Sequence, residues 1–226
     1  MSKSELNKEK TFAVIFDMDG VIVDSNPYHR IALKKFCEQH GYQLSDEYLK
    51  GKIFGRTNAD WLGELFQGKL TDIQIRDFEE EKEQLFREIF TPHIKPVKGL
   101  IEFLHHLRDH QVPCAIATSA PKSNVDFVLN KIRIAEFFQI IIHGNMIKKS
   151  KPHPEIYQKT IEMMRFPPWC NIVFEDSLSG VESASRAGCK VVGITTTHSR
   201  QELSHTNMVI DDFEQLSLKE LKTLVD

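Results

Sequence analysis

Phe12-Ala13-Val14-Ile15-Phe16-Asp17-Met18-Asp19-Gly20 is an apolar run that ends in two acids and a glycine. An apolar run of strand length followed by turn residues reads as a buried strand and its exit. Side chains alternate sides along a strand, so Asp17 and Asp19, two apart, are expected to face one pocket. Gly20 permits the sharp backbone departure that other residues resist. Two acids in one pocket suit phosphoryl transfer: one attacks phosphorus and forms an aspartyl-phosphate, while the other carries protons to or from the oxygen that leaves or enters. Asp17 is the expected nucleophile and Asp19 the expected acid/base, which requires surroundings that separate their proton affinities. The bland alternative is a solvated turn, because Asp and Gly are ordinary turn residues.

Three later segments weigh against that alternative. Pro113-Cys114-Ala115-Ile116-Ala117-Thr118-Ser119-Ala120 is a short strand running into hydroxyls and small residues. A threonine hydroxyl and the backbone N–H groups of the following turn, through Ser119 and Ala120, are natural phosphate donors. Ser119 or Ser123 would alternatively cap a helix through Val125 and Leu129. A third strand, Phe138 to His143, precedes Lys151, Pro152 and a helix whose apolar stripe is Ile156, Tyr157, Thr160, Ile161 and Met164. Lys151 therefore stands at a loop-to-helix junction, where an ammonium neutralises a phosphate oxygen; Lys148 and Lys149 read as solvated. The fourth segment, Asn171-Ile172-Val173-Phe174-Glu175-Asp176-Ser177, again ends in acids and leads into a helix from Leu178 to Ala187 that Gly188 stops.

Like charges about 4 Å apart repel by about 1 kcal/mol in water and about 4 at an effective dielectric of 20. Asp17, Asp19, Glu175 and Asp176 facing a phosphate therefore need compensation, which Lys151 and a divalent cation supply. Hard oxygen ligands with room for water favour Mg²⁺ over zinc or copper.

The alternation of strands and helical patterns from residue 97 onward predicts an α/β fold: a doubly wound core with a parallel sheet. Ligands of such sheets bind at the carboxyl ends of strands, where all four segments end. The helix around Val97 to His110 should pack Leu100, Ile101, Leu104 and Leu107 on the sheet and leave His105, His106 and His110 wet. From Pro27 to Phe90 the periodicity is helical without a convincing strand, so residues 25–91 read as an inserted helical cap domain and residues 1–24 with 92–226 as the core. Asn26 is the expected N-cap before Pro27, and Leu85, Phe86, Ile89 and Phe90 form the apolar stripe of the last cap helix. Lys82 shares that apolar face. The connections near Asp24 to Asn26 and Thr91 to Val97 would be hinges for a closure that excludes water.

Length and charge agree with a soluble metabolic enzyme: 226 residues suffice for one sizeable core plus a small insertion. A net charge of −3 argues against a nucleic-acid footprint, and the apolar stretches are too short to cross a membrane. The charged N-terminal segment lacks the apolar core of a signal peptide and reads as a loose tail. Cys37, Cys114, Cys170 and Cys189 show no Cys-x-x-Cys spacing, so reduced thiols in a cytoplasm are expected. The expected partner is a small phosphorylated molecule, bound by a monomer.

Through Asp17-Met18-Asp19-Gly20, Thr118-Ser119, Lys151-Pro152 and Glu175-Asp176-Ser177, in that order, the chain resembles the haloacid dehalogenase superfamily over nearly its whole length. The resemblance implies Asp17 as nucleophile and metal ligand, Asp19 as acid/base and as metal ligand through its carbonyl, Thr118 and Lys151 on the phosphoryl group, and Asp176 on Mg²⁺. Glu175 would be a further metal ligand or a supporting acid. Asp19 also argues for phosphate esters over halogenated acids, since the family's dehalogenases lack it. The subgroup resembled most is the β-phosphoglucomutase-like one, through Asp24-Ser25-Asn26-Pro27-Tyr28-His29, Gly55-Arg56-Thr57-Asn58 and Lys82-Glu83-Gln84-Leu85-Phe86-Arg87. It implies that His29 couples cap closure to acid/base catalysis, that Arg56 grips a distal phosphate and that Lys82 supports the closed site. Leu33 where the mutase has tryptophan, and Val97-Lys98-Gly99 at the entry to the core, depart from the mutase pattern. A phosphatase is therefore the first expectation and a β-phosphoglucomutase the second. A catalytically silent metabolite sensor is the reading from another class, against which the intact Asp17, Asp19, Lys151 and Asp176 speak.

Overall fold

Each of the four apolar runs forms a strand in the computed structural model, which describes residues 12–45, 48 and 58–226. In chain order the main elements are β1 (Ala13–Phe16), α1 (Asn26–Gln39), α2 (Asn58–Leu65), α3 (Asp72–Phe90), α4 (Leu100–Asp109), β2 (Cys114–Ala117), α5 (Lys122–Ile132), β3 (Ile140–Ile142), α6 (Glu155–Met164), β4 (Asn171–Glu175), α7 (Leu178–Arg186), β5 (Lys190–Ile194), β6 (Met208–Ile210) and α8 (Leu218–Val225). The chain divides into two compact units, Met1–Asp24 with Lys95–Asp226, and Ser25–Ile94.

In the first unit all six strands join one sheet in the order β3-β2-β1-β4-β5-β6, every neighbouring pair parallel. This is the doubly wound α/β fold expected from the alternation of strands and helices. Period-two alternation sorts the strand side chains onto two faces. On one, Ala13, Ile15, Ala115, Ala117 and Val173 pack against Ile156, Tyr157, Ile161 and Met164 of α6 and Val181 and Ala184 of α7. On the other, Phe16 stacks on Phe174 at 5.2 Å, with Phe103 of α4, Phe138 and Phe213 around them. The same parity sends Asp17, next after Ile15 on its side, and Glu175, next after Val173, toward α6.

The buried residues of α6 are the predicted stripe, Ile156, Tyr157, Thr160, Ile161 and Met164. For α4 the buried set is Leu100, Phe103, Leu104 and Leu107, so Phe103 takes the place expected for Ile101 because the aromatic cluster lies on that side. The three histidines of that helix are exposed as expected.

In the second unit, Leu33, Phe36 and Cys37 of α1 pack with Trp61, Leu62 and Leu65 of α2, and Phe78 and Leu85 of α3 cover them. A capping box starts α3: the Thr71 hydroxyl accepts from the Gln74 N–H while the Gln74 side chain accepts from the Thr71 N–H. The N-cap of α1 is Ser25, one residue before the expected Asn26, and its side chain makes no capping bond; Pro27 fits the first turn because no N–H is needed there. Among the described residues no helix is long and apolar enough to cross a membrane.

Candidate active site

From β1 the chain builds outward to β2 and β3, whereas from β4 it builds to β5 and β6 on the other side, so the winding reverses between β1 and β4. Crevices at such reversals, at the carboxyl ends of the strands, are where open α/β sheets bind ligands. Asp17 follows β1 and Asp176 follows β4 at that place, and the Asp17 N–H donates to the Phe174 carbonyl at 3.0 Å. Beyond Phe16 the chain turns: the N–H groups of Ile22 and Val23 donate to the Met18 carbonyl, and Gly20 takes φ 80°. Strand alternation therefore stops before Asp19, which lies half-buried in the turn, so strand periodicity does not set its side. Proximity brought by the turn keeps its charge within reach of Asp17.

Lys151 reaches the site from the loop before α6. Its ammonium donates to Asp17 Oδ1 at 2.8 Å, to Glu175 Oε1 at 2.5 Å and to the Ala117 carbonyl at 3.5 Å, and it lies 5.0 Å from the centre of the Tyr157 ring. Lys148 and Lys149 are exposed, as expected, and their backbone N–H groups donate to the Glu155 carboxylate at 2.9 Å each, which anchors the loop to the start of α6.

Glu175 is wholly buried and both of its oxygens are engaged. Oε1 accepts from Lys151 and from the Tyr157 hydroxyl at 2.7 Å; Oε2 accepts from the Asp176 and Ser177 N–H groups at 3.1 Å and from the Ser177 hydroxyl at 3.0 Å. The Ser177 oxygen in turn accepts from the Gly180 N–H at 3.1 Å and caps α7. A Cβ at Gly180 would coincide with the Glu175 carboxylate, so glycine at this helical position is what lets the acid lie against the helix.

Oxygen atoms of Asp17, Glu175 and Asp176 all lie within 4.8 Å of one another, and all three residues are buried. Burial pushes Asp17 up to about 7 against the opposing pull of Lys151, with the charges of Glu175 and Asp19 adding to the rise. Burial, then the charges of Glu175 and Asp17, holds Asp176 well above the usual carboxylate range. For Glu175 burial also raises, but Lys151 and the donated hydrogen bonds outweigh it and keep the acid ionised. Burial works against the charge of Lys151 too, yet Asp17 and Glu175 prevail and hold it above the ordinary lysine value. With all three carboxylates ionised, the Lys151 ammonium alone would leave excess negative charge, and a donor set of hard oxygens at this spacing fits a small divalent cation.

Thr118 is buried one residue beyond β2, its N–H bonded to the Ile142 carbonyl at 3.0 Å. Its hydroxyl oxygen accepts from the Ala120 N–H at 3.1 Å. The Ala120 N–H, expected to meet substrate, is thus spent inside the turn, while the Thr118 hydroxyl proton is left to donate. Ser119 is exposed, and its carbonyl sits where a Cβ at Gly144 would be, so the turn closes on the loop after β3.

In the helical unit, Lys82 and Glu83 are buried neighbours: the Lys82 ammonium donates to Glu83 Oε1 at 2.7 Å and lies 3.3 Å from His29 Nδ1. The His29 ring stacks on Phe86 with centroids 3.6 Å apart. Lys82 is therefore held by a partner acid. Arg56 lies outside the described residues.

Sequence reading missed three contributors. Gly180 carries a legible signal, a glycine inside a helical pattern. Tyr157 reads from periodicity as packing alone. Thr196, whose hydroxyl donates to the Gly20 carbonyl at 2.5 Å and ties the loop after β5 to the acidic turn, carries no sequence signal.

A profile of the haloacid dehalogenase-like hydrolase family matches residues 14–194. The chain is 31% identical over 176 residues to the phosphorylated carbohydrates phosphatase of Thermotoga maritima, covering 78% of this chain and 81% of that one. It is 27% identical over 204 residues to hexitol phosphatase A of Escherichia coli, covering 90% and 92%. Among solved structures, a HAD hydrolase of family IA, variant 3, from Entamoeba histolytica superposes with a TM-score of 0.86 at 31% identity, over 95% of this chain and 99% of that one. The chain belongs to the haloacid dehalogenase-like hydrolase family and is an enzyme.

Proposed function

We propose that this enzyme hydrolyses monoesters of small phosphorylated metabolites, sugar phosphates foremost, through an aspartyl-phosphate on Asp17 with Mg²⁺ as cofactor. The observation that carries the reading is the Lys151 ammonium shared between Asp17 and Glu175 at the β1/β4 reversal. An ammonium at 2.8 Å favours the ionised, nucleophilic form of a carboxylate that burial alone would protonate. The names of the Thermotoga and Escherichia relatives, both phosphatases of phosphorylated carbohydrates or hexitols, support the substrate class.

Asp17 attacks phosphorus, its oxygen–phosphorus bond forming as the ester bond breaks, and Asp19 gives a proton to the departing oxygen. In the second half Asp19 takes a proton from water, the water oxygen bonds to phosphorus, and the bond to Asp17 breaks to release inorganic phosphate. Lys151 and the Thr118 hydroxyl hold the phosphoryl oxygens as charge develops on them, and Ser119 lies at the exposed rim of the same turn. The Asp17 and Asp176 carboxylates with the Asp19 carbonyl would hold Mg²⁺, which supplies charge neutralisation at the phosphoryl oxygens. Glu175, with both oxygens occupied, stands behind them as the acid that positions Lys151. We assign substrate selection to the helical unit, with His29 and Lys82 as its polar pair and Arg56 as the contact for a distal phosphate. Residues 25–91 would then act as the cap and the reduced cytoplasm as the place of work.

A panel of sugar phosphates with Mg²⁺, with released phosphate and sugar products both measured, tests the reading. Phosphate release is the expected result. Bisphosphate-dependent conversion of β-glucose 1-phosphate to glucose 6-phosphate without net release would replace hydrolysis by the mutase reaction, and no turnover of any ester would leave the sensor.

A further inference from the structure

We infer that the Tyr157 hydroxyl is a positioning group for this reaction, acting through Glu175 to set how firmly Lys151 is available to Asp17 and the phosphoryl group; the inference rests on the role of Lys151 proposed above. One carboxylate oxygen has two donors. Glu175 Oε1 accepts from the Lys151 ammonium and, at 2.7 Å, from the Tyr157 hydroxyl, while Lys151 also serves Asp17 Oδ1 at 2.8 Å. Glu175 and Asp17 therefore compete for one ammonium. A hydroxyl that donates to Oε1 draws charge from it and weakens its claim on Lys151, which leaves more of the ammonium for Asp17 and for substrate. Packing does not require the hydroxyl. The Tyr157 ring fills the apolar cluster beneath β1 and β4 and lies under the ammonium, functions that phenylalanine fulfils equally. Burial keeps the phenol protonated, so it stands only as a donor.

The test is Tyr157→Phe in the full chain, which keeps the ring and removes the donor. The expected result is a fall in kcat of about tenfold with p-nitrophenyl phosphate. Tungstate, a phosphoryl mimic titrated by calorimetry, should bind several-fold more weakly. A melting temperature within a few degrees of the parent should accompany both. Glu175→Gln alone and combined with Tyr157→Phe complete a cycle: if Tyr157 acts through Glu175, the second substitution costs nothing further. Unchanged kcat and tungstate binding in Tyr157→Phe would overturn the inference, and so would losses that add in the double variant. A parent enzyme that releases no phosphate would sink the hydrolytic reading, while the tungstate cycle still reads the coupling of Tyr157 to Glu175.

Discussion

Asp17 is held in an electrostatic compromise: burial favours its acid form, and the Lys151 ammonium favours the anion that the proposed attack on phosphorus needs. With a folded-state pKa of about 7 against 3.8 unperturbed, the folded protein keeps this proton between about pH 4 and 7 while the unfolded chain has released it. Stability from this group is thus complete below pH 4 and is lost as pH rises to 7, by about 4 kcal/mol for three units. In metal-free buffer the melting temperature of the parent should fall relative to that of Asp17→Asn across that window, and a parallel pair of curves would refute the assignment. At pH 7, Mg²⁺ at about a hundred times its Kd should stabilise the parent by about 2.7 kcal/mol and leave Asp17→Asn almost unmoved. In the same variant, turnover should drop by about a thousandfold or more, with no phosphoenzyme trapped under substrate labelling. Residues of this kind were legible in sequence because four segments, each ordinary alone, follow one another in a single order. The partner of each acid was not, since Lys151 and Asp17 are 134 positions apart and only the fold joins them.

Helix α7 shows how an element departs from its own propensities. Alanine is about 1 kcal/mol better than glycine in a helix interior, so Gly180→Ala would ordinarily stabilise. Here the added methyl meets the Glu175 carboxylate, and the expected outcome is a lower melting temperature together with at least a tenfold loss of kcat, because the acid that positions Lys151 must move. A gain in stability with full activity would contradict the close approach. The last helix, α8, offers the contrasting case: the Ser217 hydroxyl accepts from the Glu220 N–H, and the Glu220 side chain returns the bond. Ser217→Ala should cost about 1 kcal/mol in denaturant unfolding and leave kcat unchanged. Periodicity announced elements of this sort, including the complete buried stripe of α6. It misplaced the start of α1 by one residue and exchanged Phe103 for Ile101 in α4, because both are decided by neighbours that local spacing does not know.

Across the whole molecule, the thiols report how completely the two units are packed. Burial holds Cys37 up at about 11 and Cys114 and Cys189 at about 12, and all three are buried, whereas Cys170 is partly exposed. Iodoacetamide at pH 8 should therefore modify Cys170 alone in the native protein and all four cysteines in denaturant, as mass spectrometry would count. The strand order was likewise a property of the molecule. Alternating strands and helices announce a parallel sheet, but nothing local states that β1 and β4 are neighbours or that the winding reverses between them. Chain order therefore identified the ingredients of the site: a buried acid after each of two strands, hydroxyls after a third and a lysine before a helix. Tertiary packing alone settled which acid each cation serves, that Glu175 is tied down from five sides and that Asp19 arrives by a turn instead of a strand. The reason is one of range: periodicity and turn chemistry act over a few residues, whereas charge pairing in a buried site depends on which distant strands the core brings side by side.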